Sequence, residues 1–212
     1  MQNVGNVSPV SSDRERALKL VPALRQIEEQ LAIYEDLLRR WQMRINLVGR
    51  STLLEIWTRH FADSAQLLSD APLSRRWADL GSGAGFPGLV LSLLQDRNEG
   101  EMHLIESDTR KAAFLREVSR ETGSRALVHN SRVEDVIADI DPWIVTSRAM
   151  ADIGILFQES RPFVEKGGAG LFLKGRDIAA ELTRASIPSN FSVRLRPSKV
   201  DPASSVVLVQ QA

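Results

Sequence analysis

The chain has 212 residues, 43% of them hydrophobic and 25% charged, which suits one α/β domain with an appendage but not two full-sized domains. It contains no cysteine, and this excludes disulfides, thiolate metal sites and a cysteine nucleophile. Its 27 basic and 27 acidic residues give a net charge of zero, so a nucleic-acid partner would have to meet a local basic patch.

The first third of the chain has the pattern of helices. Residues 1–13 are rich in small and polar side chains and predict a flexible tail. Apolar residues then recur three and four apart from Asp13 to about Gln42, and again from about Ser51 to Ser69. We therefore expect residues 14–72 to form a helical segment packed on the core. No stretch resembles a signal peptide or a membrane span, so a cytoplasmic protein is expected.

Beyond Pro72 short apolar runs alternate with helical segments, which predicts a mostly parallel sheet covered by helices over residues 73–212. The last two runs are separated by a proline-containing turn and predict an antiparallel hairpin at the sheet edge. The predicted strands are Arg76–Leu80, Met102–Glu106, Ala126–His129, Ile144–Ser147 and Gly170–Leu173, the predicted helices Leu89–Gln95, Thr109–Thr122, Ile153–Phe163 and Asp177–Ala185, and the hairpin Phe191–Arg196 with Ser204–Val209.

A glycine-rich segment, Asp79 to Gly88, lies between the first predicted strand and its helix. Glycines at this place let a ligand approach the backbone, as in nucleoside-binding loops. Gly83, Gly85 and Gly88 also fit the dinucleotide fingerprint G-x-G-x-x-G, and Glu106 lies near the acidic position expected for it. The bare motif is therefore compatible with two cofactors, NAD and S-adenosylmethionine, and with an NAD-dependent oxidoreductase as an alternative function.

Two residues favour S-adenosylmethionine. Pro87 removes a backbone N–H that a pyrophosphate would use, and Asp79 places a carboxylate near a ligand that should carry positive charge. Glu106 can accept both ribose hydroxyls of an adenosine. From the loop alone we predict cofactor contacts at Asp79, Gly81, Gly83, Gly85 and Glu106.

Several segments in order along the chain resemble the RsmG-type small-subunit rRNA methyltransferases, formerly called glucose-inhibited division protein B. The resemblance covers nearly the whole chain past the tail and implies a Rossmann-like class I fold dependent on S-adenosylmethionine. It further implies methyl transfer to N7 of a guanosine in the helix 18 (530) loop of 16S rRNA. The segments are Tyr34–Trp41, Ile45–Val48, Arg59–Ser64, Asp79–Gly88, Lys111–Leu115, Ser131–Asp135, Thr146–Ala149 and Leu173–Gly175.

The resemblance also assigns residues to the cofactor site, namely Gly81, Phe86, Val133, Glu134 and Arg148. Guanine N7 carries no proton, so its attack on a sulfonium methyl needs no general base, and alignment and electrostatics can supply catalysis. We expect Arg148 to orient the cofactor or the guanine, through O6 or by stacking, because N7 must stay free. No metal is expected.

The rRNA partner, as free 16S rRNA or as a 30S particle bound by a monomer of this chain, would meet local basic residues. The proposed phosphate contacts are Lys174, Arg176, Arg194, Arg196 and Lys199, although each could equally belong to a solvated face. His60, Asp63 and Ser64 share about one helical turn and cannot form a catalytic triad, so packing or capping is expected there. A fold that binds RNA without methyl transfer stays open as an alternative.

Overall fold

The computed structural model describes residues 9–70, 75–95, 100–148 and 151–212, with side chains from residue 12 onwards. Within these ranges seven strands form one sheet. The strands are β1 (Arg76–Leu80), β2 (Glu101–Ile105), β3 (Leu127–His129), β4 (Ile144–Arg148), β5 (Ala169–Lys174), β6 (Phe191–Pro197) and β7 (Ser205–Gln211). Their order is β3-β2-β1-β4-β5-β7-β6, parallel from β3 to β5, with β7 antiparallel to both β5 and β6.

Helices cover both faces of the sheet. They are α4 (Gly88–Leu94), α5 (Thr109–Thr122), α6 (Val133–Ile140), α7 (Ile153–Val164) and α8 (Ile178–Arg184). Because successive side chains of a strand point to opposite faces, Trp77 joins the core under α4 and α5, whereas Ala78 joins the core under α6 and α7. These buried apolar runs confirm the predicted sheet and its antiparallel hairpin. Each predicted strand of the parallel part agrees with the observed one to within a residue at either end.

The N-terminal part packs on the α4 and α5 face. It contains α1 (Pro9–Leu20), a 3₁₀ turn (Pro22–Ile27), α2 (Glu28–Gln42), a second 3₁₀ turn (Arg50–Thr52), a π-helical segment (Trp57–Ala62), a short α3 (Asp63–Ala65) and a last 3₁₀ turn (Gln66–Ser69). Among the described residues, no helix is long and apolar enough to cross a membrane.

Three predictions for this part were wrong. The predicted tail, residues 1–13, overlaps α1, which begins at Pro9, and Asp13 is buried; residues 1–8 lie outside the described ranges. The helix predicted from Asp13 to Gln42 is interrupted after Leu20. Pro22 restricts Val21 to an extended conformation (φ −135°, ψ 85°) and brings no N–H to continue the helical hydrogen bonds. The stretch from Ser51 to Ser69 is likewise several short segments rather than one helix.

Candidate cofactor and substrate cleft

A cleft with a volume of about 590 Å³ opens at the carboxyl ends of the parallel strands. This is where ligands bind in open α/β sheets. One wall comes from the sheet domain and the opposite wall from the N-terminal part and the turn between β6 and β7. The lining includes Gly81, Ser82, Gly83, Phe86, Glu106, Lys111, Arg148 and Gly175 on the first side, and Leu47, Val48, Gly49, Arg59, His60, Asp63, Asp201 and Ser204 on the second.

The glycine-rich loop leaves open space where it faces the cleft. Gly81 and Gly83 have φ angles of 61° and 56°, a region that side chains disfavour. A Cβ placed on Gly83 would meet only the Gly81 carbonyl oxygen, at 3.7 Å. Gly85 differs, because a Cβ there would overlap the Tyr34 hydroxyl and Leu89 inside the core. Gly85 does not line the cleft, so packing explains this glycine better than the predicted cofactor contact does.

Glu106 fastens the glycine loop to the end of β2. Its Oε2 accepts a hydrogen bond from the Gly83 N–H at 2.8 Å, and its Oε1 accepts one from the Asp108 N–H at 2.8 Å. The side chain is buried but lines the cleft. Each carboxylate oxygen keeps a further lone pair. Glu106 therefore fixes the loop while still offering acceptors to a ligand.

Asp79 lies beneath the loop rather than in the cleft. It is fully buried, and its Oδ2 accepts a hydrogen bond from the Gly88 N–H at 3.2 Å, while Oδ1 has no partner among the described residues. Burial raises the pKa of this carboxyl to about 7, and the Ser82 side chain and the Gly88 N–H offset only part of that effect. The predicted direct contact with the cofactor conflicts with this placement, because the glycine loop separates Asp79 from the cleft.

Arg148 ends β4 and lines the cleft. Its Nη1 donates to His60 Nδ1 at 2.7 Å and to the Arg59 carbonyl oxygen at 3.2 Å, and the guanidinium carbon lies 4.7 Å from the centre of the Phe86 ring. A guanidinium has five N–H donors, and those on Nε and Nη2 have no hydrogen-bond partner among the described residues. Arg148 is therefore held by one nitrogen and has donors left for a ligand.

His60 has a contact in the cleft that the sequence did not indicate. Its ring stacks on Phe86 with centroids 4.9 Å apart and planes inclined by 13°, and its Nε2 lies 2.9 Å from Thr52 Oγ1. Burial, together with the positive charges of Arg148 and Arg59, lowers the pKa of His60 to about 2. The imidazole is thus neutral in the folded protein. Packing was predicted, but the partner Arg148 is 88 positions away and no local pattern indicates it.

Asp63 contributes a carboxylate to the same wall. Its Oδ1 accepts from Gln66 Nε2 at 2.7 Å and from Ser198 Oγ at 3.3 Å, and Oδ2 has no partner among the described residues. Burial raises the pKa of Asp63, while the positive charge of Arg148 acts in the opposite direction. An acidic acceptor and a cationic donor therefore lie in one cleft.

Val133 and Glu134 are not brought into the cleft. Val133 begins α6 and packs against the apolar core on that face, while Glu134 is exposed. Asn130, just before α6, does contact the site, because its Nδ2 donates to the carbonyl oxygens of Glu106 and Ser107.

The predicted phosphate contacts divide into two groups. Lys174 is buried, with its Nζ 2.7 Å from Glu181 Oε2, and Arg196 is ion-paired with Asp70; both are better explained as structural ion pairs, because they already neutralise a carboxylate. Arg194, Arg176 and Lys199 are exposed. Arg194 donates to Gln210 Oε1 at 2.7 Å, whereas the other two side chains have no ion pair among the described residues.

The parallel sheet with its terminal antiparallel hairpin, and a glycine loop tied to an acidic residue at the end of the second strand, define a Rossmann-like class I methyltransferase. A solved precorrin-6y C5,15-methyltransferase from Geobacter metallireducens has the same fold, with a TM-score of 0.53 and 13% identity over 79% of this chain and 91% of that one. Within the described part of the chain, no three His, Asp or Glu side chains are grouped to hold a metal ion.

The family model for rRNA small subunit methyltransferase G, GidB, matches residues 27–200, and the chain belongs to this family. A ribosomal RNA small subunit methyltransferase G from Rhodospirillum centenum is 50% identical over 88% of this chain and 85% of its own length. Another, from Methylobacterium nodulans, is 43% identical over 94% of this chain and 95% of its own. The family resemblance predicted from the sequence is confirmed. The protein is an rRNA methyltransferase, and of the two cofactors its glycine loop allowed, it uses S-adenosylmethionine.

Proposed function

We propose that this protein methylates N7 of a guanosine in the helix 18 (530) loop of 16S rRNA. Family membership supports a small-subunit rRNA substrate, and the resemblance to RsmG-type enzymes supports the particular base. The observation that carries the guanine assignment is Arg148, whose Nε and Nη2 donors have no partner in the described part of the chain and lie beside the glycine loop in the same cleft. They match a purine with a carbonyl acceptor next to its reactive nitrogen.

The residues present fit S-adenosylmethionine. The open face at Gly83 gives the ligand access to the backbone, and the carboxylate of Glu106 can accept the ribose hydroxyls. The bound cofactor supplies an electrophilic methyl group on a sulfonium. Val133 and Glu134, at the start of α6, remain proposed contacts that the family resemblance implies.

The chain's own part in the reaction is alignment. Guanine N7 attacks through an in-plane lone pair and loses no proton, so a base is not required. Neutral His60 could not serve as one, because its Nδ1 is occupied by Arg148. In this scheme Arg148 donates to guanine O6 and leaves N7 free, and Asp63 accepts from the guanine N1–H and amino group. Adenine has an amino group, a donor, in the place of guanine O6, so Arg148 would find no acceptor on it.

Purified protein, S-adenosylmethionine with a labelled methyl group, and either 16S rRNA or 30S particles test the proposal. We expect label on a single guanosine of the 530 loop. Arg148→Ala should lower the transfer rate about a hundredfold, since it removes charge-assisted hydrogen bonds, and Arg148→Lys should rescue it only partly. The exposed Arg25→Ala, in the first 3₁₀ turn and outside the cleft lining, is the matched control. Binding of rRNA without incorporation would favour the non-catalytic alternative, and full transfer by Arg148→Ala would refute the role of Arg148.

A further inference from the structure

A continuous hydrogen-bond chain runs from the N-terminal part into the cleft. Arg148 Nη1 lies 2.7 Å from His60 Nδ1, His60 Nε2 lies 2.9 Å from Thr52 Oγ1, and Thr52 Oγ1 lies 2.8 Å from the Gly49 carbonyl oxygen. Gly49 belongs to the loop that forms the opposite wall of the cleft. Arg148 of the sheet domain is thereby connected to three groups of the N-terminal part on the other wall.

The direction of every bond in this chain is fixed by chemistry. A guanidinium only donates, so His60 Nδ1 must accept. A neutral imidazole with an accepting Nδ1 carries its proton on Nε2, which then donates to Thr52 Oγ1. The Thr52 hydroxyl in turn donates to the Gly49 carbonyl oxygen. A protonated His60 would direct an N–H at Arg148, which agrees with its strongly lowered pKa.

The ring of Phe86 restrains the same two side chains. His60 stacks on it at 4.9 Å, and the Arg148 guanidinium lies 4.7 Å from its centre. Phe86 itself belongs to the glycine loop, and it also stacks with Tyr34 of α2 at 5.3 Å. The imidazole is therefore fixed in its plane by stacking and within that plane by two hydrogen bonds.

We propose that His60, held by Thr52, is a positioning residue that orients Arg148 for the target guanine. The inference rests on the proposed function of Arg148 and adds what the N-terminal part does for the reaction. His60 Nδ1 accepts one Nη1 hydrogen of Arg148, and the Arg59 carbonyl oxygen accepts the other. The Nε and Nη2 donors are thereby held in a fixed orientation, as a fork that points at the guanine. A neutral acceptor does this without cancelling the positive charge of Arg148, which a carboxylate in the same place would do.

Two replacements of His60 separate positioning from packing. In His60→Asn the amide oxygen can take the place of Nδ1 and accept from Arg148. In His60→Gln the amide reaches the place of Nε2 and keeps the Thr52 contact, but no acceptor remains for Arg148. We expect His60→Asn to keep most of the transfer rate at saturating S-adenosylmethionine and His60→Gln to lose about ten- to a hundredfold, the effect of one hydrogen bond to a charged group. Cofactor affinity measured by calorimetry should change little in both.

Thr52 provides a second test. It is partly exposed, so we expect its variants to fold. Thr52→Val removes the hydroxyl and should lower the transfer rate several-fold, Thr52→Ser should restore it, and Ser51→Ala, which alters an exposed neighbour, should behave as the unmodified protein. Melting temperatures are compared throughout, because a packing effect would change them together with the rate.

The role of Arg148 and the role of His60 can fail separately. If Arg148→Ala transfers methyl at the full rate, the proposed function of Arg148 fails. If Arg148→Ala is impaired but His60→Asn and His60→Gln lose equally, the positioning inference is overturned. The same holds if His60→Gln lowers the rate by an unchanged factor when combined with Arg148→Ala, since a residue that acts through Arg148 should have no further effect there. Should the His60 variants not fold, equal rates in Thr52→Val and Thr52→Ser would overturn the inference.

Discussion

At the scale of single residues, the site contains a carboxyl group whose charged form is less stable in the folded protein than in the unfolded chain. Asp79 is fully buried and accepts a hydrogen bond from the Gly88 N–H, while its Oδ1 has no partner within the described ranges. Burial raises its pKa from 3.8 to about 7. The folded state therefore binds this proton more tightly than the unfolded state does. The resulting contribution to stability is present below pH 3.8 and is lost as the pH rises through about 7.

Replacing Asp79 with Asn should remove this pH dependence, because the amide resembles the neutral acid. Between pH 5.5 and 8.5 the unmodified protein should lose ~2 kcal/mol more unfolding free energy than Asp79→Asn, at ~1.4 kcal/mol per pH unit below the folded-state pKa. Urea unfolding of both proteins at the two pH values measures the difference. Parallel pH profiles for the two proteins would contradict the charge state inferred for Asp79.

At the scale of elements, α1 is attached by a carboxylate to the segment that carries His60. Asp13 Oδ2 accepts from the Trp57 N–H at 2.9 Å, and Oδ1 accepts from the N–H and the hydroxyl of Thr58. These N–H groups begin the π-helical segment and have no helical partner of their own, so Asp13 acts as its cap from a distant part of the chain. The cation–π contact of Arg14 with Trp57, at 4.7 Å, adds to the same attachment.

Asp13→Ala should lower the free energy of unfolding by about 1–2 kcal/mol, the cost of losing a helix cap. Arg16→Ala is the matched control on the same helix, because Arg16 pairs with Glu55 at 3.7 Å in an exposed position and should contribute less than about 0.5 kcal/mol. Denaturant titration compares the two variants. Equal losses, or none for Asp13→Ala, would show that α1 is not held by this cap.

A comparison of α1 with β1 and α5 shows which elements can be predicted from the sequence. The bounds of β1 and α5 were predicted to the residue, because local signals define both: an apolar run ends at glycine in β1, and Asp108 and Gly123 cap α5. The position of α1 could not be predicted, because Asp13 finds its partners 44 and 45 positions away. The pairing of His60 with Arg148 was missed for the same reason. Spacing patterns report neighbours on one element and are silent about contacts between elements.

At the scale of the whole molecule, a net charge of zero conceals an uneven distribution. Arg59, Lys111 and Arg148 line the cleft, and the exposed Arg176 and Lys199 follow the strand end and the turn that border it. The pKa of Asp201, a cleft residue, is lowered first by the hydrogen bond from the Ala203 N–H and further by the charges of Arg59 and Arg176. An RNA phosphate backbone approaching the cleft would therefore meet cations in a protein that is neutral overall.

The location of these cations, rather than their number, should govern RNA binding. Arg176→Ala combined with Lys199→Ala removes two charges at the cleft. Arg25→Ala combined with Arg120→Ala removes two exposed charges from residues that do not line it. Net charge falls equally in both. If each of Arg176 and Lys199 contacts one phosphate, the slope of log affinity against log salt should become shallower by about 1.4–1.8 in the first double variant and stay unchanged in the second. Titration of 16S rRNA from about 50 to 200 mM salt measures the slope. A similar change in both double variants would mean that RNA responds to total charge, and the basic border of the cleft would then have no special role in docking.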